Sequence, residues 1–235
     1  MTHFNYTLEG PIGTRATLGL VVLQTDETLE HDFRRLFTAP DVSLYVTRVP
    51  SGADVTPETL ASMSVALPAA TRLLPPALTY DVVGYGCTSG TAVIGPDMIA
   101  KQVRAGCRAA HVTEPVSALV ALCAARGVSR LAFLSPYIES VSATLRHALN
   151  VRGVATPVFG SFDEAEETRV AKISKSSLYD AAMALGASDQ VDAVFLSCTN
   201  LRTLDVIPQI EADIGKPVFS SNQALAWHMG NLAGL

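Results

Sequence analysis

Two cysteines are marked by what surrounds them. Asp81-Val-Val-Gly-Tyr-Gly-Cys87-Thr-Ser and Asp192-Ala-Val-Phe-Leu-Ser-Cys198-Thr-Asn share the pattern Asp-x-Val-x-x-x-Cys-Thr-[Ser/Asn], one copy in each half of a 235-residue chain. Each reads as a buried strand that ends on a thiol followed by a hydroxyl, and open α/β sheets bind their ligands outside such carboxyl ends. A helix beginning there presents free N–H groups and its positive pole, a setting expected to lower a cysteine pKa and to hold a carboxylate. Two thiols facing one cleft suit a particular chemistry. One, as thiolate, attacks or deprotonates one face of a planar carbon, and the other, as thiol, returns a proton from the opposite face, with no metal or organic cofactor needed. Racemisation, or addition–elimination at a double bond, is the expected reaction. Cys107 and Cys123 carry no such setting and read as small buried hydrophobes, Cys123 within an apolar helical stretch.

Positioning these thiols requires strands wrapped by helices. Short apolar runs at 16–23, 42–49, 82–86, 109–112, 130–134, 156–159, 193–197 and 217–220 alternate with helically spaced segments at 26–37, 57–74, 95–105, 114–126, 140–150, 175–185 and 203–214. Several of the runs lack polar alternation, so the strands are expected to be parallel and buried on both faces. Gly127, Gly153 and Gly215 follow helical segments as left-handed closing residues. The fold class is α/β, in two pseudo-symmetric halves, each a four-stranded parallel sheet flanked by helices, with the active site in the cleft between them. Residues 1–112 with 222–235 are assigned to the first half and 113–221 to the second.

Composition narrows the function. Charged residues make up 17% and apolar residues 49%, which excludes a disordered chain. The net charge is −5, and no basic or aromatic-basic stripe argues for a nucleic-acid partner. The apolar stretches fall short of the roughly 18–20 residues of a membrane helix, and nothing in the first residues reads as a signal peptide, so a cytoplasmic protein with reduced thiols is expected. The four cysteines include no CxxC pair, and no metal cluster, GxGxxG loop, P-loop or hydrolytic triad is found. The low charge content and Ala-rich helices favour a homodimer. His3, His31 and His147 read as surface residues and His228 as a packing residue, while His111 and Glu114 flank a hinge and are weaker candidates for tuning a thiol.

The same residues carry a resemblance. The chain resembles the Asp/Glu racemase superfamily, nearest its maleate cis-trans isomerase and arylmalonate decarboxylase branch, and is similar to the ectoine-utilisation proteins of that branch. The likeness runs over nearly the whole chain. It is strongest at Leu196-Ser-Cys-Thr-Asn-Leu-Arg-Thr-Leu-Asp-Val-Ile-Pro208 and Gly215-Lys-Pro-Val-Phe-Ser-Ser-Asn222. It continues at Gly86-Cys-Thr-Ser-Gly90, Ser135-Pro-Tyr137-Ile and Gly19-Leu-Val-Val-Leu-Gln-Thr-Asp-Glu-Thr-Leu-Glu30.

The resemblance implies a cofactor-independent isomerase or racemase acting on a small dicarboxylate or amino-acid-like substrate through Cys87 and Cys198. It further implies that Thr88, Ser89, Thr199 and Asn200 donate hydrogen bonds to a substrate carboxylate and that Tyr137 adds a phenolic one. The plainer alternatives are helix capping for the hydroxyl residues and a core aromatic for Tyr137. Two departures bear on the substrate. Asp26 stands where maleate isomerases carry asparagine, so a dianion would be repelled and an ammonium or amidinium group attracted, unless Asp26 only caps the following helix. The asparagine that those enzymes place after the sixth strand has no counterpart in the stretch 166–170. Arylmalonate decarboxylases carry glycine at the first cysteine position, so Cys87 argues against that activity. A non-catalytic binding protein and a redox-sensing thiol protein are the readings from other classes.

Overall fold

The strand β1 (Ala16–Leu23) is buried along its whole length. Leu18, Leu20 and Val22 point into one apolar cluster, Val21 and Leu23 into the other. This two-sided burial is why its sequence shows no apolar/polar alternation. The computed structural model describes residues 1–52 and 56–235. After β1 come α1 (Leu29–Leu36), β2 (Val42–Val49), α2 (Pro57–Thr71), β3 (Tyr80–Gly86), α3 (Thr88–Ile94), α4 (Pro96–Arg104) and β4 (Ala109–Thr113). The second half runs α5 (Pro115–Arg126), β5 (Arg130–Tyr137), α6 (Glu139–Asn150), β6 (Ala155–Glu164), α7 (Glu167–Val170), α8 (Lys175–Gly186), β7 (Ala193–Leu196), α9 (Ile207–Ile214), β8 (Val218–Ser220) and α10 (Ser221–Leu232).

The strands form two four-stranded sheets, β2-β1-β3-β4 and β6-β5-β7-β8, with every pairing parallel. The two orders are the same permutation, and in each the chain reverses direction of growth at its first strand. That creates a crevice at the carboxyl ends of β1 and β3 in one sheet and of β5 and β7 in the other, the place where such sheets take ligands. The core follows the same division. One cluster joins both sheets to α1, α5, α6 and α10 through Leu20, Phe33, Leu119, Phe133, Phe195 and Met229. The other holds the opposite faces against α2, α4, α8 and α9. The carboxyl-terminal α10 packs on α5 and on β3 and β4, so the chain returns to the first sheet after completing the second.

The sequence repeat has a structural purpose beyond its cysteines. Asp81 Oδ2 accepts the N–H of Thr17 at 2.8 Å, and Asp192 Oδ2 accepts the N–H of Arg130 at 2.9 Å. In each half this aspartate, at the start of the cysteine-bearing strand, ties it to the first residues of its neighbour and sets the register. The Arg130 guanidinium completes the second clasp and holds the Asp192 carboxyl down to about 2.

Several boundaries differ from the sequence expectation. α1 begins at Leu29 rather than near residue 26, because the Asp26 carboxylate takes the N–H groups of Thr28 and Leu29 and makes a turn of the preceding residues. α9 begins at Ile207, not 203. β5 runs three residues further, to Tyr137, and β6 reaches Glu164. The helices α3 and α7 carry no amphipathic signal because they are only 7 and 4 residues long. Among the described residues no helix is long and apolar enough to cross a membrane.

Candidate functional site

Cys87 follows β3 directly and is the N-cap of α3. Its Sγ accepts the Gly90 N–H at 3.1 Å, which brings that backbone so close that a Cβ at residue 90 would sit 2.9 Å from the sulfur. Only glycine permits the approach. Cys198 lies two residues beyond β7 with φ of 132°, a region that residues with a side chain rarely occupy. Its sulfur accepts the Asn200 N–H at 3.2 Å, and its own N–H donates to Ser221 Oγ at 3.1 Å. Strain held at this position has a measurable consequence. Cys198→Gly is expected to be more stable than Cys198→Ala by about 1 kcal/mol, since relief of roughly 1–3 kcal/mol of strain outweighs the entropy of the added glycine. Urea midpoints of the two variants check this, and equal midpoints would show that the backbone is relaxed there.

Both thiols line one narrow cleft, together with Asp26, Thr88, Ser89, Tyr137, Glu167 and Thr199, and with Leu23 and Leu60 as apolar walls. A smaller recess of about 220 Å³ adjoins it through Leu23, Leu60 and Glu167. A wider groove between Leu36, Phe37, Leu122 and Trp227 includes none of these residues and is open to solvent. Chemistry rather than size therefore locates the site.

The thiols are not acidified, contrary to the expectation from their place at helix starts. Burial pushes Cys87 up to about 12 despite the Gly90 N–H, and it also raises Cys198 well above the usual thiol range, with the Glu167 carboxylate adding repulsion. The desolvation of a thiolate in a nearly closed cleft outweighs one or two backbone donors.

The hydroxyl and amide side chains have partners within the protein. The Thr88 hydroxyl donates to Ser221 Oγ at 2.8 Å and the Thr199 hydroxyl to the Gly86 carbonyl at 3.3 Å, so both tie one half to the other. Ser221 thus joins the two cysteine loops, a role nothing in its sequence neighbourhood signals. Asn200 stands behind the cleft wall, its Oδ1 accepting the Glu27 N–H at 2.8 Å and its Nδ2 donating to Glu167 Oε2 at 3.1 Å. Ser89 is the hydroxyl left on the wall.

Tyr137 is buried against Cys198. Its hydroxyl donates to Glu167 Oε1 at 2.6 Å and lies 2.9 Å from Cys198 Sγ. A phenol has one proton, and Glu167 receives it, so the thiol is the donor in the second contact. The result is a proton wire from Cys198 through Tyr137 to a carboxylate. Glu167 is the residue that sequence reading missed. Its stretch offered no asparagine to match the family, yet the carboxylate, 5% exposed, occupies the cleft. Burial raises its pKa against the Tyr137 and Asn200 hydrogen bonds.

Asp26 is 3% exposed and divides its two oxygens. Oδ1 accepts from Thr28 and Leu29 at 2.8 Å each, which closes the turn leading into α1, whose N-cap is Thr28. Oδ2 has no hydrogen-bond partner. The nearby Thr199 hydroxyl spends its one proton on Gly86. Burial raises the Asp26 pKa too, opposed by the two backbone donors.

The weaker candidates lie elsewhere. His111 is exposed, and Glu114 caps α5 through the N–H groups of Val116 and Ser117. His228 bonds the Thr113 hydroxyl through Nδ1 at 2.7 Å and stacks on Trp227. Cys123 is fully buried and Cys107 half-buried, both away from the cleft.

Comparison with known proteins places this arrangement. The arylmalonate decarboxylase family model matches residues 103–235. An arylmalonate decarboxylase of Bordetella bronchiseptica is 33% identical over 111 residues, which span 47% of this chain and 46% of that enzyme, under half of its length. A maleate isomerase of Nocardia farcinica is 27% identical over 221 residues, 89% of this chain and 87% of that one. The structure of a mutant of the Nocardia farcinica maleate cis-trans isomerase with a covalently bound succinylcysteine intermediate superposes with a TM-score of 0.84 at 25% identity, covering 94% of this chain and 93% of that one. With more than half of the chain matched by the family model and the same two-sheet fold throughout, the chain belongs to the arylmalonate decarboxylase family, in the maleate isomerase and arylmalonate decarboxylase branch of the Asp/Glu racemase superfamily.

Proposed function

We propose that the protein is a cofactor-independent isomerase or racemase of a small carboxylic acid, working through Cys87 and Cys198. The observation that carries this reading is that two thiols from equivalent strand ends line one nearly closed cleft. An enclosed cleft excludes the water that would capture a carbanion or an adduct. In the addition–elimination version, one sulfur as thiolate forms a C–S bond to an activated alkene and the other thiol protonates the adjacent carbon. Rotation about the new single bond then precedes loss of that proton and cleavage of the C–S bond. In the racemase version, one thiolate removes an α-proton and the opposite thiol delivers one. The covalent succinylcysteine of the related maleate isomerase supports the first version for that enzyme.

The racemase version leaves Cys198 in the opposite protonation state after each turnover, so its proton has to be reset before the next. The chain Cys198–Tyr137–Glu167 supplies the route, and Tyr137 orients the thiol as well. Decarboxylation is the less favoured reading, because Cys87 stands where arylmalonate decarboxylases have glycine.

The test is incubation in D₂O with maleate, D- and L-aspartate, glutamate, N-acetylated diamino acids and aryl malonates. Deuterium entering an α-carbon with loss of optical purity, or conversion of maleate to fumarate, is the expected kind of result. Carbon dioxide released from an aryl malonate with no exchange elsewhere would overturn the isomerase reading in favour of decarboxylation.

A further inference from the structure

Two carboxyl groups share the cleft with the thiols. Asp26 and Glu167 both line it, and each is at most 5% exposed. No lysine, arginine or histidine is found among the described residues of either the cleft or its adjoining recess. Arg48, the nearest guanidinium to Asp26, is directed elsewhere: Nη1 donates to the carbonyls of Leu23 and Asp26 at 3.0 and 2.9 Å, and Nη2 to Glu30 at 3.1 Å. The Glu167 charge is partly met by Tyr137 and Asn200. The Asp26 Oδ2 atom has no hydrogen-bond partner, the nearby Thr199 hydroxyl donating to Gly86 instead, although a buried carboxylate oxygen without a donor is costly and rare in a folded protein.

A plain dicarboxylate would bring two negative charges into this space with no cation to receive them. A ligand bearing a cationic nitrogen would supply the missing donor. We propose that Asp26, with Glu167 as a second negative charge on the same wall, forms a subsite for the ammonium or amidinium group of the substrate. The preferred substrate is then a small carboxylate that carries a cationic nitrogen, not a simple diacid. This assignment rests on the cleft being the active site. Asp26 does two jobs at once under it: Oδ1 holds the start of α1, and that fixed bond directs Oδ2 to the ligand. The substrate carboxylate is left to Ser89, a hydroxyl of the same lining.

The test uses ligand pairs that differ by one ammonium group, aspartate against succinate and alanine against propionate, titrated calorimetrically into the wild type and Asp26→Asn. In the wild type the ammonium-bearing member of each pair is expected to bind at least tenfold more tightly. Asp26→Asn keeps an oxygen to close the turn into α1, so its melting temperature should stay near that of the wild type while the preference falls by about tenfold and succinate binds more tightly than before. Succinate equalling aspartate in the wild type, or a preference unchanged in Asp26→Asn, would overturn the subsite. Failure of the underlying reading looks different. If Cys87→Ala turned over its substrate at the wild-type rate while Asp26 still governed the ammonium preference, the two-thiol mechanism would fall and the subsite would stand.

Discussion

Cys87→Ala and Cys198→Ala are each expected to lower turnover at least about a hundredfold, whereas Cys107→Ala and Cys123→Ala leave it nearly unchanged. A positioned acid or base is worth roughly 10²–10⁴ in rate, and in a two-sided reaction neither thiol can stand in for the other because they approach opposite faces. The two cysteines should nevertheless fail differently. Cys198 is held by Tyr137, by the Asn200 N–H and by an unusual backbone angle, so its loss also leaves the Tyr137 hydroxyl with Glu167 alone. Cys87 is held by the Gly90 N–H and has the Tyr85 hydroxyl beside it. In deuterated solvent, a variant that keeps the base but lacks the acid should still exchange the α-proton of one enantiomer, and the other variant should exchange only the opposite one. Rates are compared by steady-state turnover with intact mass confirming each variant. Near-wild-type turnover in either cleft variant would end the two-thiol mechanism.

The fold was legible because burial dictates pattern. Strands such as β1 and β2 are covered on both faces or ordered by branched residues, and their limits coincide with the apolar runs read from sequence. The cysteines were legible because the fold is duplicated, so the same strand end is written twice. What sequence could not show is how each polar side chain is spent. Thr88 and Thr199 follow their cysteines alike, and both bridge the halves, to partners Ser221 and Gly86 that lie 133 and 113 residues away in the chain. Glu167 sits in a four-residue helix with Asp163, Glu164 and Glu166 just before it, and nothing local separates a buried glutamate from these neighbours. The thiol pKa escapes the sequence for the same reason. A helix start is visible in sequence, whereas the closure that desolvates the sulfur is a property of the two halves together.

Reaction of the cleft thiols with iodoacetamide is expected to climb about tenfold for each pH unit from 7 to 9 and to show no plateau in that range. With Cys87 pushed up to about 12, its thiolate fraction at pH 7 is on the order of 10⁻⁵, and the thiolate is the form that reacts. A plateau below pH 8 would mean that the cleft is more polar than its geometry implies. Glu167→Gln then separates charge from burial. For Cys198, burial is the larger cause of the raised pKa and repulsion by Glu167 the next, so removing the charge should lower that pKa and speed labelling of Cys198 at fixed pH. A shift of one unit, about 1.4 kcal/mol, gives about tenfold. Cys87 should respond less, since for it the Gly90 N–H outranks Glu167. Peptide mapping of the alkylated sites reads the two cysteines separately. Equal acceleration at both would point to a loosened cleft instead of a lost charge, and no acceleration at Cys198 would remove Glu167 from control of its proton. A cationic nitrogen bound beside Asp26 and Glu167 acts with the same sign as Glu167→Gln, favouring the thiolate, so the substrate that fits the acidic wall is also the one that prepares the sulfur to react.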